Sequence, residues 1–219
     1  MGGLPVVRGG LIICAFWLAL AALIGVSGTA YGETAARETL QQRFAVKEGR
    51  PFFHLAGATL IRDDFYHSLG YGLDAGYFPR ESIGLELRLL HMRSRLSAEG
   101  QRMREEFDVV PDLRAPQALA TVGARISTGY GKVLTPGDYV VHFDPQIVAH
   151  VGAMLAERRV VPTATIGLGL LTHWRRGVQV KLDLQMMING ESRNRGWVLA
   201  TGFFPVLSVG WSPMIGGSQ

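Results

Sequence analysis

The chain has 219 residues, a formal net charge of +4, 18% charged residues of mixed sign and 28 glycines with no collagen-like period. That length suits one domain with enough apolar content for a core, no basic run tracks a phosphate backbone, and glycine at this density argues against a helical bundle. The single cysteine, Cys14, lies in an N-terminal apolar segment, so removal of that segment excludes a disulfide framework, a cysteine-ligated zinc and a cysteine nucleophile.

Arg8 precedes the apolar run Leu11 to Ile24, which passes into the small-residue stretch Gly25 to Gly32 and ends on Ala30-Tyr31-Gly32. This order predicts a cleaved secretory signal over residues 1–32, because the run falls short of the roughly 20 residues a spanning helix needs. Ile13 is too large for the position before a lipidated cysteine. Residues 33–51 read as a periplasmic N-terminal arm, with Glu33 to Lys47 charged and suited to a short helix or a loose segment.

From there the chain alternates. Phe52 to Leu60 predicts a first strand and Ile61 to Phe65 a short charged loop. Tyr66 to Phe78 predicts a second, with Leu69, Tyr71, Leu73, Ala75 and Tyr77 on one face and Ser68, Gly70, Gly72, Asp74 and Gly76 on the other. After a tight turn at Pro79 to Ser82, the third strand sets Ile83, Leu85, Leu87 and Leu89 against Gly84, Glu86, Arg88 and Leu90. Ser97 to Pro116 breaks the rhythm and reads as the longest irregular segment. Strand four follows from Ala118 to Thr128, then a turn from Gly131 to Asp138, then strand five from Tyr139 to Leu155, which Pro145 is expected to bend or bulge. Strand six centres on Thr163 to Leu170, with His173 to Arg176 as the next turn. In Gly177 to Ile188, strand seven, Val178, Val180, Leu182, Leu184, Met186 and Ile188 oppose Gln179, Lys181, Asp183 and Gln185, and Asn189 to Arg195 is polar and turn-forming. Strand eight runs from Gly196 to Phe204 and is expected to end at Pro205.

Ordinary globular strands average about five or six residues, whereas these segments match or exceed the roughly 9 to 11 that cross a tilted bilayer. The expected fold is all-β, an eight-stranded antiparallel up-and-down transmembrane β-barrel over residues 52–204, followed by a C-terminal tail at 205–219. A soluble periplasmic β-sandwich that binds a ligand is the alternative, since one strand with an oily and a wet face suits either. With both termini in the periplasm, the long charged connection falls outside. Phe52, Tyr77, Phe78, Tyr130, Tyr139, Trp174, Phe203 and Phe204 are then expected near the periplasmic interface, with Tyr66 and Trp197 near the outer one.

The inward positions include Asp74, Glu86 and Asp183 against Arg88, Arg125 and Lys181. An eight-stranded barrel is only wide enough for its own side chains, so these groups are expected to pair as a lumen charge network that plugs the bore rather than conducts. The connection after strand three carries Arg102, Arg104, Glu105, Glu106, Asp108 and Asp112, more charge than a strand connection requires, and is the candidate extracellular interaction loop. A lipid deacylase would need serine beside histidine, for which His67 with Ser68 and His91 with Ser94 are the candidates. Adjacent residues on a strand face opposite ways, so no catalytic residue is assigned. His142 and Asp144 share a face and suit a hydrogen-bonded pair better than a metal site, for lack of a third ligand. No cofactor and no metal are expected.

Phe44-Ala45-Val46-Lys47-Glu48-Gly49-Arg50, Asp63-Asp64-Phe65-Tyr66, Gly131-Lys132 and His142-Phe143-Asp144 together resemble the outer-membrane β-barrel domain family of myxobacteria and related deltaproteobacteria. The resemblance implies an outer-membrane location and a non-enzymatic structural or binding role in the cell envelope, and it suggests a place beside gliding-motility complexes. The implied partners are outer-membrane lipids and periplasmic or envelope-complex proteins, with no nucleic acid.

Overall fold

A computed structural model describes residues 46–62, 66–107, 115–135, 139–157, 159–174, 177–193 and 196–213. The predicted signal segment, and the arm as far as residue 45, lie outside the described residues. The strands are β1 (Arg50–Leu60), β2 (Tyr66–Arg80), β3 (Ile83–Leu96), β4 (Pro116–Ser127), β5 (Gly131–Thr135), β6 (Tyr139–Ala156), β7 (Arg159–His173), β8 (Val178–Arg193) and β9 (Gly196–Trp211), with one helix, α1 (Ala98–Phe107). Each pairs antiparallel with its neighbour, β9 returns to β1, and β4 pairs with β6, so the sheet closes on itself. β4 and then β5 line the same edge of β6, which makes them one interrupted stave. The result is a closed eight-stranded β-barrel rather than a sandwich. Among the described residues no helix is long and apolar enough to cross a membrane, which says nothing of strands.

The period of two fixes which side chains go inside. On β3, Gly84, Glu86, Arg88, Leu90 and Met92 are buried while Leu85, Leu87, Leu89 and His91 are exposed, and on β8 Gln179, Lys181, Asp183, Gln185, Met187 and Asn189 are buried. Closure leaves no edge at mid-barrel and hydrogen-bonds the backbone all the way round.

Prolines decide where the ladders fail. Phe203 and Ile61 exchange both backbone hydrogen bonds (2.8 and 2.9 Å), and the β1–β9 ladder resumes in the same register at Ala58↔Val206. Thr59 opposite Pro205 would be the next hydrogen-bonded pair, and Pro205 has no N–H to give. β9 therefore continues through Pro205 to Trp211, and residues 205–211 belong to the barrel rather than to a tail. Pro145 likewise leaves β6 without a bulge against β7: the two stay in register across it, and it is the facing stave that breaks, between Ser127 and Gly131. Pro145 keeps its carbonyl, which accepts from the Thr128 amide at 2.9 Å.

Other boundaries move outward. β2 extends through Pro79, with a register shift between Tyr77 and Arg80, so the turn shrinks to Glu81 and Ser82. The expected turn at Gly131 to Asp138 contains β5, and the polar stretch from Asn189 to Arg193 is strand, because a ladder pairs backbone whatever the side chains. Within Ser97 to Pro116, expected to be irregular, Ala98–Phe107 is helix, and residues 108–114 lie outside the described residues. Ser97 caps α1, its Oγ accepting from the Gly100 amide at 3.1 Å and its carbonyl from the Gln101 amide at 2.9 Å, and good helix formers follow.

Two ends can be told apart. The terminal end is where β1 begins, β9 ends and Glu81-Ser82 turns, and the helix end is where α1 joins β3 to β4. At the terminal end Phe53, Tyr77, Trp174 and Trp211 are exposed, with Phe53 paired directly to Trp211. Phe52, Phe78 and Phe204 are buried inside instead, because each falls on the inward parity of its strand, and Phe203 lies mid-strand, opposite Met186. The side chains of Tyr139 and Trp197 lie outside the described residues.

Candidate functional site: a layered lumen

Crowding by side chains and backbone of the neighbouring strands explains why glycine stands at the inward positions 84 and 123. A Cβ on Gly84 would come within 2.7 Å of the Phe78 ring and 2.8 Å of the Arg125 side chain. On Gly123 it would meet the His150 ring at 2.2 Å and the Ala149 carbonyl at 2.3 Å. Because that second contact is backbone, Gly123→Ala should destabilise the barrel by about 1–3 kcal/mol through overpacking, read as a lower urea midpoint in micelles.

Those gaps let long side chains meet at mid-barrel. Asp74 lies directly opposite Arg88, whose Nε and Nη2 donate to it at 2.9 and 3.2 Å. Arg88 Nη2 also donates to Glu86 and to Asp183, each at 2.8 Å. Arg125 donates to Glu86 at 2.9 Å and to Asp183 at 3.1 Å, and Lys181 to Asp74 at 2.5 Å and Glu86 at 3.0 Å. The six residues picked out by strand parity therefore form one cluster drawn from β2, β3, β4 and β8. Three carboxylates face three cations with no net charge, and all six side chains are buried. Further polar groups complete it: Ser208 donates to Asp74 at 3.1 Å, Gln146 accepts from Arg125, and His150 Nε2 lies 3.3 Å from Glu86. His150 and Gln146 were legible as inward residues of β6, but parity does not give the height at which they meet the charges.

Apolar layers lie on either side. Toward the helix end Leu60, Leu90, Met92, Leu119, Met154 and Phe204 belong to a buried cluster, and toward the terminal end Phe52 and Phe78 pack with ring centroids 5.0 Å apart. Beyond that pair comes a second ion pair, Lys47 with Asp144, both buried, with Ser127 bonded to each. The backbone amide of Lys47 donates to the Glu81 carboxylate at 2.8 Å, and Gly49 to the Phe78 carbonyl at 2.8 Å, which holds residues 47–49 across the terminal mouth. Lys47 thus belongs to the barrel rather than to a free arm. No strand periodicity marks it, since it precedes the first strand.

The remaining candidates separate. Ser68 and Ser94 are hydrogen-bonded to each other at 2.8 Å on the inside, while His67 and His91 are exposed on the outside, so neither serine has a base beside it. His142 and Asp144 both face inward, but Asp144 takes Lys47 and His142 stacks on Tyr130. Among the described residues no group of three histidine, cysteine or acidic side chains is placed to hold a metal. Arg102, Arg104, Glu105 and Glu106 lie exposed on α1, whereas Asp108 and Asp112 fall outside the described residues.

Fold and lumen together define a closed eight-stranded barrel plugged by its own charge-paired side chains. Neither a protein-family model nor a curated protein matches the chain.

Proposed function

We propose that the chain is an integral outer-membrane barrel, with both termini periplasmic, that works as a sealed structural or binding component of the envelope. The observation that carries this reading is the inversion of polarity. Charged groups are buried in the bore, while Leu55, Leu73, Leu87, Val151, Ile166 and Leu207, among others, are exposed around the outside. Monomeric soluble proteins rarely expose contiguous apolar patches beyond a few hundred Å², and here outward apolar residues recur on every stave. A tilted bilayer needs roughly 9 to 11 residues per strand, a length every stave meets. The exposed aromatics at the terminal end fit an interfacial girdle.

The filled lumen supports a non-conducting and non-catalytic role, with recognition left to the surface. The finer reading, that α1 and the segment preceding β1 engage envelope proteins of a gliding-motility complex, rests on the sequence resemblance and on the exposed charge of α1. Fractionation of the host should recover the chain in the outer membrane, and purified barrels in a planar bilayer should pass no steady current. Recovery in the soluble periplasm would overturn the location, and single-channel steps from intact barrels would overturn the sealed bore. Replacing α1 by a Gly-Ser turn should leave the barrel folded but lose its partners. Unchanged pull-downs and host motility would remove the binding assignment.

A further inference from the structure

The outward faces of β2 and β3 are apolar through mid-barrel, where Leu73, Leu87 and Leu89 are exposed, and then change character toward the helix end. There the same outward parity carries His91, Arg93 and Arg95 on β3 and His67 on β2, all exposed. His67 lies directly opposite Arg95, Leu69 opposite Arg93, and Tyr71 opposite His91. Opposite residues have Cβ atoms about 4.5–5.5 Å apart, and alternate residues on one strand lie about 6.6–6.8 Å apart. One group the size of a phosphate can therefore touch several of the four.

Two further features suit an anion. No acidic residue occupies an outward position on β2 or β3, and among the described residues neither arginine has a carboxylate partner. Tyr71 holds the patch in place: the Arg93 guanidinium sits 6.0 Å from its ring centroid, and His91 meets it edge-on at 5.3 Å. β3, at 14 residues, outlasts the hydrocarbon thickness, so its last outward side chains reach headgroup level while the leucines stay at acyl level.

We propose that this face binds the phosphate groups of a membrane lipid headgroup, with the acyl chains along the strip of Leu73, Leu87 and Leu89. The arginines supply forked, charge-assisted hydrogen bonds to phosphate oxygens. The assignment rests on the membrane-spanning reading and names a ligand for it.

The test uses the full chain in zwitterionic micelles, with native mass spectrometry counting retained lipid A in its bis-phosphorylated and fully dephosphorylated forms. Wild type should prefer the phosphorylated form, and the Arg93→Gln/Arg95→Gln double variant should bind it about tenfold more weakly. Lys132→Gln, a change at the terminal end, should bind like wild type, and millimolar inorganic phosphate should not displace the lipid. Equal retention of both forms by wild type, or undiminished binding by the double variant, overturns the proposal. Displacement by inorganic phosphate assigns the patch to a free anion and overturns the lipid assignment. Wild type is also mixed with phosphatidylcholine vesicles. Failure to insert sinks the membrane reading itself, whereas insertion without phosphate preference sinks only the lipid site.

Discussion

Arg88→Met is expected to lower the unfolding free energy of the barrel by roughly 3–5 kcal/mol. Arg88 donates to three carboxylates at once, Asp74, Glu86 and Asp183. Its loss leaves three buried acids facing only Arg125 and Lys181, and a buried charge without its partner costs far more than the intact pair contributes. Urea titration of the barrel in micelles reads the effect. Arg88→Lys restores the charge but not the fork, and should fall between wild type and Arg88→Met. The companion variant Arg88→Met/Asp74→Leu should recover part of the loss, because it rebalances the charges at two and two. If Arg88→Met unfolded at the wild-type midpoint, the lumen would have to be wet enough to solvate the orphaned acids, and the sealed bore would be wrong.

Lys47→Ala should cost about 3 kcal/mol, the low end for a broken buried ion pair. Ser127 and Gln146 go on donating to Asp144 after the ammonium is gone, which moderates the loss. The contacts that hold this mouth come from Lys47 and Gly49, so removal of residues 33–49 should lower the urea midpoint at least as far as Lys47→Ala, and further than removal of residues 33–45. The contrast between the two truncations separates a tether from a cap. Equal midpoints for both would show that residues 46–49 contribute nothing to closure of the mouth.

The inside and outside of the barrel were legible because strand periodicity is a local property. From Ser68 to Asp74, or from Gln179 to Gln185, every second residue faces the bore, and the charges among them had nowhere to go but toward one another. Height along the bore was not legible, because it depends on register. Register is set by partners distant in sequence, as when Asp74 meets Lys181, 107 positions away. The prolines misled for a related reason. Sequence alone points to Pro145 as bending or bulging its strand and to Pro205 as ending one, but a missing N–H costs one bond on one side and leaves the strand free to pair on the other. Lys47 left no signal because a single buried cation outside any periodic stretch looks like part of a polar arm. α1 was hidden by composition: charged and polar residues between strands read as loop, although Ser97 stood ready as a cap and the residues after it favour a helix.

In an outer-membrane barrel sealed from within, lipid rather than water is expected to meet the outer face. In the full chain with Cys14→Ser, a single cysteine introduced as Leu87→Cys and labelled with a fluorophore sits in the middle of the exposed apolar belt. The labelled protein is folded into phosphatidylcholine vesicles whose acyl chains carry bromine, and iodide is added to the water. The account predicts strong quenching by the brominated chains and almost none by iodide. Quenching by iodide with none from the brominated chains would contradict it and leave a water-soluble barrel with an unexplained apolar surface.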